Sequence, residues 1–267
     1  MHSLTDYVKD NFVKDNVNGW RLLRRIGHVN DELSEKCCSV SKSTADFNAI
    51  VCGAASEVYR FGVDAKTYYF KEFLDRGWKD RIKNAFRGTR AIRALNGEMA
   101  LFNAGLNYPP IVLLGEMGNR SFIVTEEVTD ARDLYVLINE PSALPLPPNR
   151  FMKALGIAVG EMHAQGVSHG DLRWGNVLLS GDGSDLKIIF IDNERTLAYG
   201  RLPERLRLKN LVQMCISADR LSRIQALRFY AAYLQKNPLS KAEKRNLMSR
   251  VIKRANYRRA RLLSKKS

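Results

Sequence analysis

The stretch His169-Gly170-Asp171-Leu172-Arg173-Trp174-Gly175-Asn176-Val177-Leu178-Leu179 constrains this chain more than any other, together with Ile191-Asp192-Asn193-Glu194-Arg195-Thr196 shortly after it. An acid is followed five residues later by an amide and then by a short apolar run. A second acid stands 21 residues after the first, at the end of another apolar run, Leu186 to Ile191. His, Gly, Asp and Asn are ordinary turn residues, so a tight turn between buried strands would account for either motif alone. The two in this order fit phosphoryl transfer. In that chemistry one carboxylate orients an acceptor hydroxyl and takes its proton, while an amide and a second carboxylate hold Mg²⁺ against a triphosphate.

A chain of 267 residues suits one large domain or two lobes and can bury a substantial core. No run of eighteen apolar residues is present, which argues against a spanning helix, and Met1 to Tyr7 lacks the basic-then-apolar pattern of a secretory signal. Cys37, Cys38, Cys52 and Cys215 follow no metal-ligand spacing, and the adjacent pair reads as reduced thiols. A cytoplasmic location is the expectation. The net charge of +15 is unevenly placed: residues 201–267 hold 19 Lys/Arg against 3 Asp/Glu, and the rest of the chain is close to neutral. Such asymmetry points to an anionic partner at that end.

Taken in order, residues 1–45 read as an N-terminal extension with a short element near 19–27, docking through Trp20, Leu22, Leu23 and Ile26, and a loose stretch at 39–44. Phe47 to Cys52, Val58 to Val63 and Thr67 to Phe73 are predicted strands, rich in β-branched and aromatic residues. Between the first two, Gly53, Ala54, Ala55 and Ser56 are small enough to let backbone N–H groups approach phosphate. Lys71 lies on the third strand, and a long helix over Asp80 to Ala104 carries Glu98. A strand lysine that faces solvent is the plainer reading. Because a helix carrying Glu98 follows, Lys71 is nevertheless expected to pair with Glu98, as a third-strand lysine and a glutamate of the next helix do when they position α- and β-phosphates in kinases. The basic run Lys79, Arg81, Lys83, Arg87, Arg90 and Arg93 reads as a solvated face, with contact to an anionic acceptor as the second reading.

Ile111 to Leu114 and Ser121 to Thr125 complete five predicted antiparallel strands with one helix, a small lobe over 46–128. Glu126-Glu127-Val128 leads out of it, and the backbone near Glu126 and Val128 is the expected adenine contact. Residues 129–267 form the second predicted lobe. After the connection at 129–134 come a linker at 144–149 and an apolar-faced helix from an Asn149 cap to Gly166, in which His163 reads as a core histidine. Helices over 203–217, 220–235 and 241–263 follow the motifs, the last opened by the capping box Ser240-Lys241-Ala242-Glu243. Its basic outer face fits a surface lying against anionic lipid headgroups.

His-Gly-Asp-Leu-Arg-Trp-Gly-Asn-Val-Leu-Leu with Phe-Ile-Asp-Asn-Glu-Arg-Thr resembles the lipopolysaccharide kinase family, the Kdo and heptose kinases of the bacterial inner core. The resemblance implies an α+β, bilobal protein-kinase-like fold: a small antiparallel β-sheet lobe with one helix and a larger, mainly helical lobe. It implies ATP and Mg²⁺ as cofactors and a sugar hydroxyl of an anionic glycolipid or oligosaccharide as acceptor, met at the cytoplasmic face of the inner membrane. Carried over by position, Asp171 is the base, Asn176 and Asp192 bind metal, Lys71 contacts phosphates and Glu98 anchors Lys71. Asn193-Glu194 in place of Phe-Gly after Asp192 argues against a regulated protein kinase.

Two rivals stand beside this reading. A phosphotransferase of the aminoglycoside or choline type shares His-Gly-Asp and the later acid, but surrounds a cationic acceptor with acids, which the basic C-terminal segment opposes. A kinase-like nucleic-acid-binding module without catalysis fits the basic surface, but does not need Lys71, Glu98, Asp171, Asn176 and Asp192 together.

Overall fold

The computed structural model describes residues 3–39, 47–140, 147–182, 185–216 and 221–264, so much of the stretch at 39–44 and residues 144–146 of the linker fall outside it. The chain divides into two compact units, residues 1–99 with 109–128, and residues 100–108 with 129–267.

In the first unit the elements are α1 (Leu4–Asn11), β1 (Phe12–Val17), β2 (Trp20–Arg25), α2 (Asp31–Ser39), β3 (Asn48–Cys52), β4 (Ser56–Val63), β5 (Lys66–Phe73), α3 (Trp78–Arg87), α4 (Arg90–Asn103, with residues 100–103 counted in the second unit), β6 (Ile111–Met117) and β7 (Arg120–Glu126). The strands form one antiparallel sheet in the order β1-β2-β6-β7-β5-β4-β3. Strand alternation gives it two apolar faces. Trp20, Leu22, Phe61, Tyr68, Phe70 and Phe122 pack on one face beneath Leu33, Cys37 and Cys38 of α2. Phe73, Ile111 and Leu114 pack on the other with Ala91, Ala94 and Leu95 of α4 and Tyr7 of α1. Burial pushes the Cys37 thiol well up and Cys38 up to about 11, so both stay protonated and inert.

Five strands and one helix were expected; the sheet has seven, because residues 12–25 add a hairpin to its edge through β2 and β6. The signal for it was Asn18-Gly19, whose φ values of +49° and +83° suit a two-residue hairpin turn. It was masked by the polarity of β1, an edge strand on which only Phe12 is buried. The single helix expected over 80–104 is two. Gly88 has φ +72°, and a Cβ there would lie 2.9 Å from Ile92 Cγ2, so the chain turns at this point. Thr89 then starts α4 by accepting the Ile92 N–H on its hydroxyl (3.2 Å).

The second unit holds β8 (Arg132–Asp133), α5 (Leu134–Asn139), α6 (Pro148–Ala164), β9 (Val167–Ser168), β10 (Val177–Ser180), β11 (Lys187–Phe190), β12 (Leu197–Ala198), α7 (Glu204–Ile216), α8 (Arg223–Lys236) and α9 (Lys241–Leu263). Its core is one continuous cluster of helix and strand residues, with Leu155, Val159 and Met162 of α6 fully buried against Val177, Phe190, Leu208 and Tyr233. The Ser240–Glu243 box caps α9 as expected, and a second box, Ser222 with Gln225, caps α8. α6 begins on Pro148 with no side-chain cap, so Asn149 does not serve as one. An apolar cavity of about 510 Å³ opens to the surface of this unit, lined by Met152, Leu155, Trp174, Leu211, Phe229 and Val251 among others.

Candidate active site

Two short pairings bring the motifs of the second unit together. In the β10–β11 hairpin Val177 faces Phe190, so Asn176 and Ile191 are the next residues out, and the Ile191 N–H donates to the Asn176 carbonyl (3.1 Å). β9 and β12 pair Ser168 with Leu197 at the other ends of the same loops. The 169–176 and 191–196 loops are therefore tied at both ends. Gly170 is where they press closest: it has φ +75°, and a Cβ there would lie 2.4 Å from the Arg195 carbonyl oxygen. His169 spans the gap, with Nε2 2.9 Å from the Ile191 carbonyl oxygen, and the Thr196 hydroxyl donates back to the His169 carbonyl (3.3 Å).

Asp171 is nearly buried and fully engaged on one side. Arg173 donates to both of its oxygens, Nε to Oδ1 at 2.8 Å and a terminal nitrogen to Oδ2 at 2.6 Å, and Gln213 Nε2 donates to Oδ1 at 3.0 Å. Three donors on about four lone-pair sites leave one site, on Oδ2. Burial pushes this carboxyl up, but the Arg173 bonds and charge, with Arg195 and His169, outweigh it and hold the group below its ordinary range. Asp171 is thus ionised throughout neutral pH. The Asn176 Nδ2 donates to the Asp171 backbone carbonyl (2.8 Å), which fixes the amide and leaves its oxygen as the ligand atom. Asp192 sits in the left-handed region, φ +61°, at the start of a short 3₁₀ turn over Asn193–Arg195. A non-glycine residue held there is strained, and such strain concentrates at functional positions. Glu194 lies 3.6 Å from its neighbour Arg195.

A buried hydrogen-bond chain that no local pattern announces supports Asp171 from behind. The Tyr233 hydroxyl meets His163 Nδ1 (3.0 Å), His163 Nε2 meets Asn210 Oδ1 (3.1 Å), Asn210 Nδ2 donates to Gln213 Oε1 (3.3 Å), and Gln213 reaches Asp171. Ser168 and the Leu172 N–H also donate into it. Asn210 can only accept from His163 if its other amide atom donates to Gln213, so the proton of His163 is on Nε2 and Tyr233 donates to Nδ1. Lys209 adds a bond to the Gly170 carbonyl.

Burial holds His163 at about 4, and His169 is also lowered by burial. A histidine with a depressed folded pKa contributes stability that is complete above its unfolded pKa near 6.5 and is lost as pH falls through the folded value. Acidification from pH 6.5 to 4 should therefore cost the second unit about 3 kcal/mol through His163, with His169 acting in the same direction. Urea midpoints across this range check it: His163→Gln should flatten the slope, and an unchanged slope would refute the assignment.

In the first unit Lys71 shares the β5 face of Phe73, with its Nζ 5.3 Å from that ring centroid. The expected Lys71–Glu98 pair is not what holds Glu98. Its carboxylate accepts from the Tyr7 hydroxyl (2.7 Å), from the Ile111 N–H (2.5 Å) and from the Arg25 guanidinium, whose Nε also donates to the Ile111 carbonyl (2.7 Å). Burial pushes the Glu98 carboxyl up, and these partners offset that only in part. Glu98 and Arg25 thus pin both backbone polar groups of the first residue of β6. Tyr7 and Arg25 lie 91 and 73 residues from Glu98, and sequence reasoning missed them.

Gly53, Ala54, Ala55 and Ser56 lie at the β3–β4 turn, where the Gly53 N–H donates to the Ser56 carbonyl (3.2 Å). The Ala55 carbonyl takes both the Leu74 N–H and Arg90, and that pair ties the turn to β5 and α4. Glu126 pairs with Lys66 (3.1 Å), Glu127 is held by Arg60 and Tyr69, and Val128 ends the unit.

The donor set fits a hard cation. Asn176 and Asp192 offer oxygen atoms, and no group of three or more His, Cys, Asp or Glu side chains among the described residues forms a cage. Mg²⁺ is usually held by one or two protein oxygens together with substrate phosphates, which suits such a sparse set.

Comparison with known proteins agrees with this geometry. Residues 51–233 match the family model described as lipopolysaccharide kinase (Kdo/WaaP) family. The lipopolysaccharide core heptose(I) kinase WaaP of Pseudomonas aeruginosa is 30% identical over 195 residues, covering 66% of this chain and 73% of the relative. The 3-deoxy-D-manno-octulosonic acid kinase of Vibrio parahaemolyticus is 29% identical over 132 residues, 48% of this chain and 50% of the relative. A solved structure of WaaP in complex with acyl carrier protein superposes with a TM-score of 0.64 at 25% identity, covering 89% of this chain and 98% of that one. Sequence, loop geometry and fold thus give one answer: the chain belongs to the lipopolysaccharide kinase (Kdo/WaaP) family, a family of kinases with a protein-kinase-like fold.

Proposed function

We propose that this protein transfers the γ-phosphate of ATP to a hydroxyl of an inner-core sugar of lipopolysaccharide, a heptose in the first instance. The single observation that supports it most is the state of Asp171: ionised, backed by a rigid polar chain, and left with one accepting site on Oδ2. An acceptor hydroxyl that donates to that site is oriented for attack and loses its proton to Asp171 as the new P–O bond forms and the bond from the γ-phosphorus to the β,γ-bridging oxygen breaks, releasing ADP. Mg²⁺, held by Asn176 and Asp192, would neutralise the phosphate charge. Lys71 serves the α- and β-phosphates, and the backbone of Gly53, Ala54, Ala55 and Ser56 covers them. The Glu126–Val128 backbone takes adenine. Glu98 acts at one remove, by holding the start of β6. The heptose assignment follows the relatives named heptose(I) kinase.

Purified protein with ATP and Mg²⁺ should add one phosphate to deacylated core oligosaccharide, located on heptose by fragmentation mass spectrometry. Phosphate found on Kdo would correct the acceptor, and no transfer at all would refute the reading. Lys71→Ala should raise KM for ATP far more than KM for the sugar.

The proposed acceptor supports a reading of the protein as peripheral at the cytoplasmic face of the inner membrane. No helix among the described residues is long and apolar enough to span a membrane. We extend the acyl carrier protein partner of the solved WaaP to this chain, supported by the apolar cavity of the second unit. Calorimetry with acylated and unacylated carrier protein tests it, and equal affinity for the two would remove the cavity from the account.

A further inference from the structure

Helix α3 is amphipathic in the wrong sense for a packed helix. Trp78, Ile82 and Phe86 recur every four residues, which places them about 40° apart on one stripe. All three face outward, with 67%, 51% and 85% of their surface exposed. No residue of α3 belongs to either apolar face of the sheet. The same ten residues carry four Lys/Arg and one acid, and Arg76 precedes them. Arg81 is tied to Asp75 (2.7 Å), which also receives the Gly77 N–H (2.9 Å), so the start of the helix is anchored and the stripe keeps a fixed orientation. Four residues of the basic run, Lys79, Arg81, Lys83 and Arg87, therefore share α3 with an exposed aromatic stripe, while Arg90 and Arg93 lie on α4 and donate to the Ala55 and Gly88 carbonyls.

An exposed stripe of this size marks an interaction surface. Its composition identifies the kind. Trp and Phe between basic residues, on a helix of low net hydrophobicity, are the pattern of a helix lying in the plane of a lipid interface, with rings at the acyl boundary and cations among anionic headgroups. We propose that α3 is an interfacial helix that seats the first unit on an anionic bilayer. The purpose of that contact rests on the proposed glycolipid acceptor, but the contact itself is measured without turnover.

The protein carries its own probe. Of its three tryptophans, Trp20 and Trp174 are 3% and 2% exposed, and Trp78 alone is on the surface. With vesicles of phosphatidylethanolamine and phosphatidylglycerol, the tryptophan emission of the full chain should shift to the blue and be quenched by brominated acyl chains. Phosphatidylcholine vesicles should do neither. Trp78→Phe should abolish the shift while the protein still sediments with vesicles. The pair Ile82→Ser with Phe86→Ser should weaken sedimentation about tenfold or more, because burying these side chains is what drives insertion. Both side chains are exposed, so circular dichroism and turnover on soluble deacylated oligosaccharide should be unchanged. Vesicle binding with a water-like Trp78 emission would overturn the proposal and assign the contact to another basic surface such as α9. A shift that appears without lipid and tracks dimer formation by light scattering would overturn it in favour of a second copy. Absence of vesicle binding would overturn it outright. If vesicles bind as stated but no acceptor is phosphorylated, the functional reading fails and the lipid contact stands.

Discussion

Replacing Asp171 by Asn should lower turnover about 10²- to 10⁴-fold, the usual size of a general-base contribution. The substitution keeps shape and volume, and an amide can still receive Gln213 on its oxygen, so the fold should be retained. KM for ATP should stay within a few-fold, because Asp171 is assigned to the acceptor hydroxyl and not to the nucleotide. The wild-type profile provides a second check. Arg173 holds the carboxyl below its ordinary range, so the acid limb contributed by Asp171 should lie below that range and be absent between pH 6 and 8. Retention of turnover within tenfold in Asp171→Asn would remove this residue from the chemistry.

Arg25→Ala should cost about 3–5 kcal/mol of stability in the first unit, the cost of leaving one member of a buried ion pair behind. The Glu98 carboxylate is 2% exposed and would keep only Tyr7 and the Ile111 N–H as partners, while the Ile111 carbonyl would lose its donor. The double variant with Glu98→Gln should recover part of the loss, because a neutral amide has a far smaller desolvation cost than an unpaired carboxylate. Urea unfolding of wild type, both single variants and the double variant measures the coupling. A cycle with no coupling would mean that Arg25 and Glu98 stabilise the unit independently, and the pinning of β6 would fail with it.

Local chemistry made much of this protein readable. Asp171 and Asn176 belong to one loop, and the β10–β11 hairpin that joins them to Asp192 is short, so their convergence follows from turn and strand signals alone. The capping box of α9 was legible for the same reason, since its two partners are three residues apart. The β1–β2 hairpin had a signal in Asn18-Gly19, but its strands bury too few side chains to announce themselves. The chain from Tyr233 through His163, Asn210 and Gln213 to Asp171 had none: Asn, Gln and His on helices read as ordinary surface or core residues until their neighbours are known.

From sequence alone one could place the reactive loop, the acids, the strand lysine and the basic C-terminal segment, because each is a pattern within a few residues. Only the tertiary structure decided which cation reaches Glu98 and that the apolar stripe of α3 is exposed. Both depend on segments tens of residues apart in the chain arriving at one place. A helical period states that one face is apolar, but whether that face finds a partner is settled by packing.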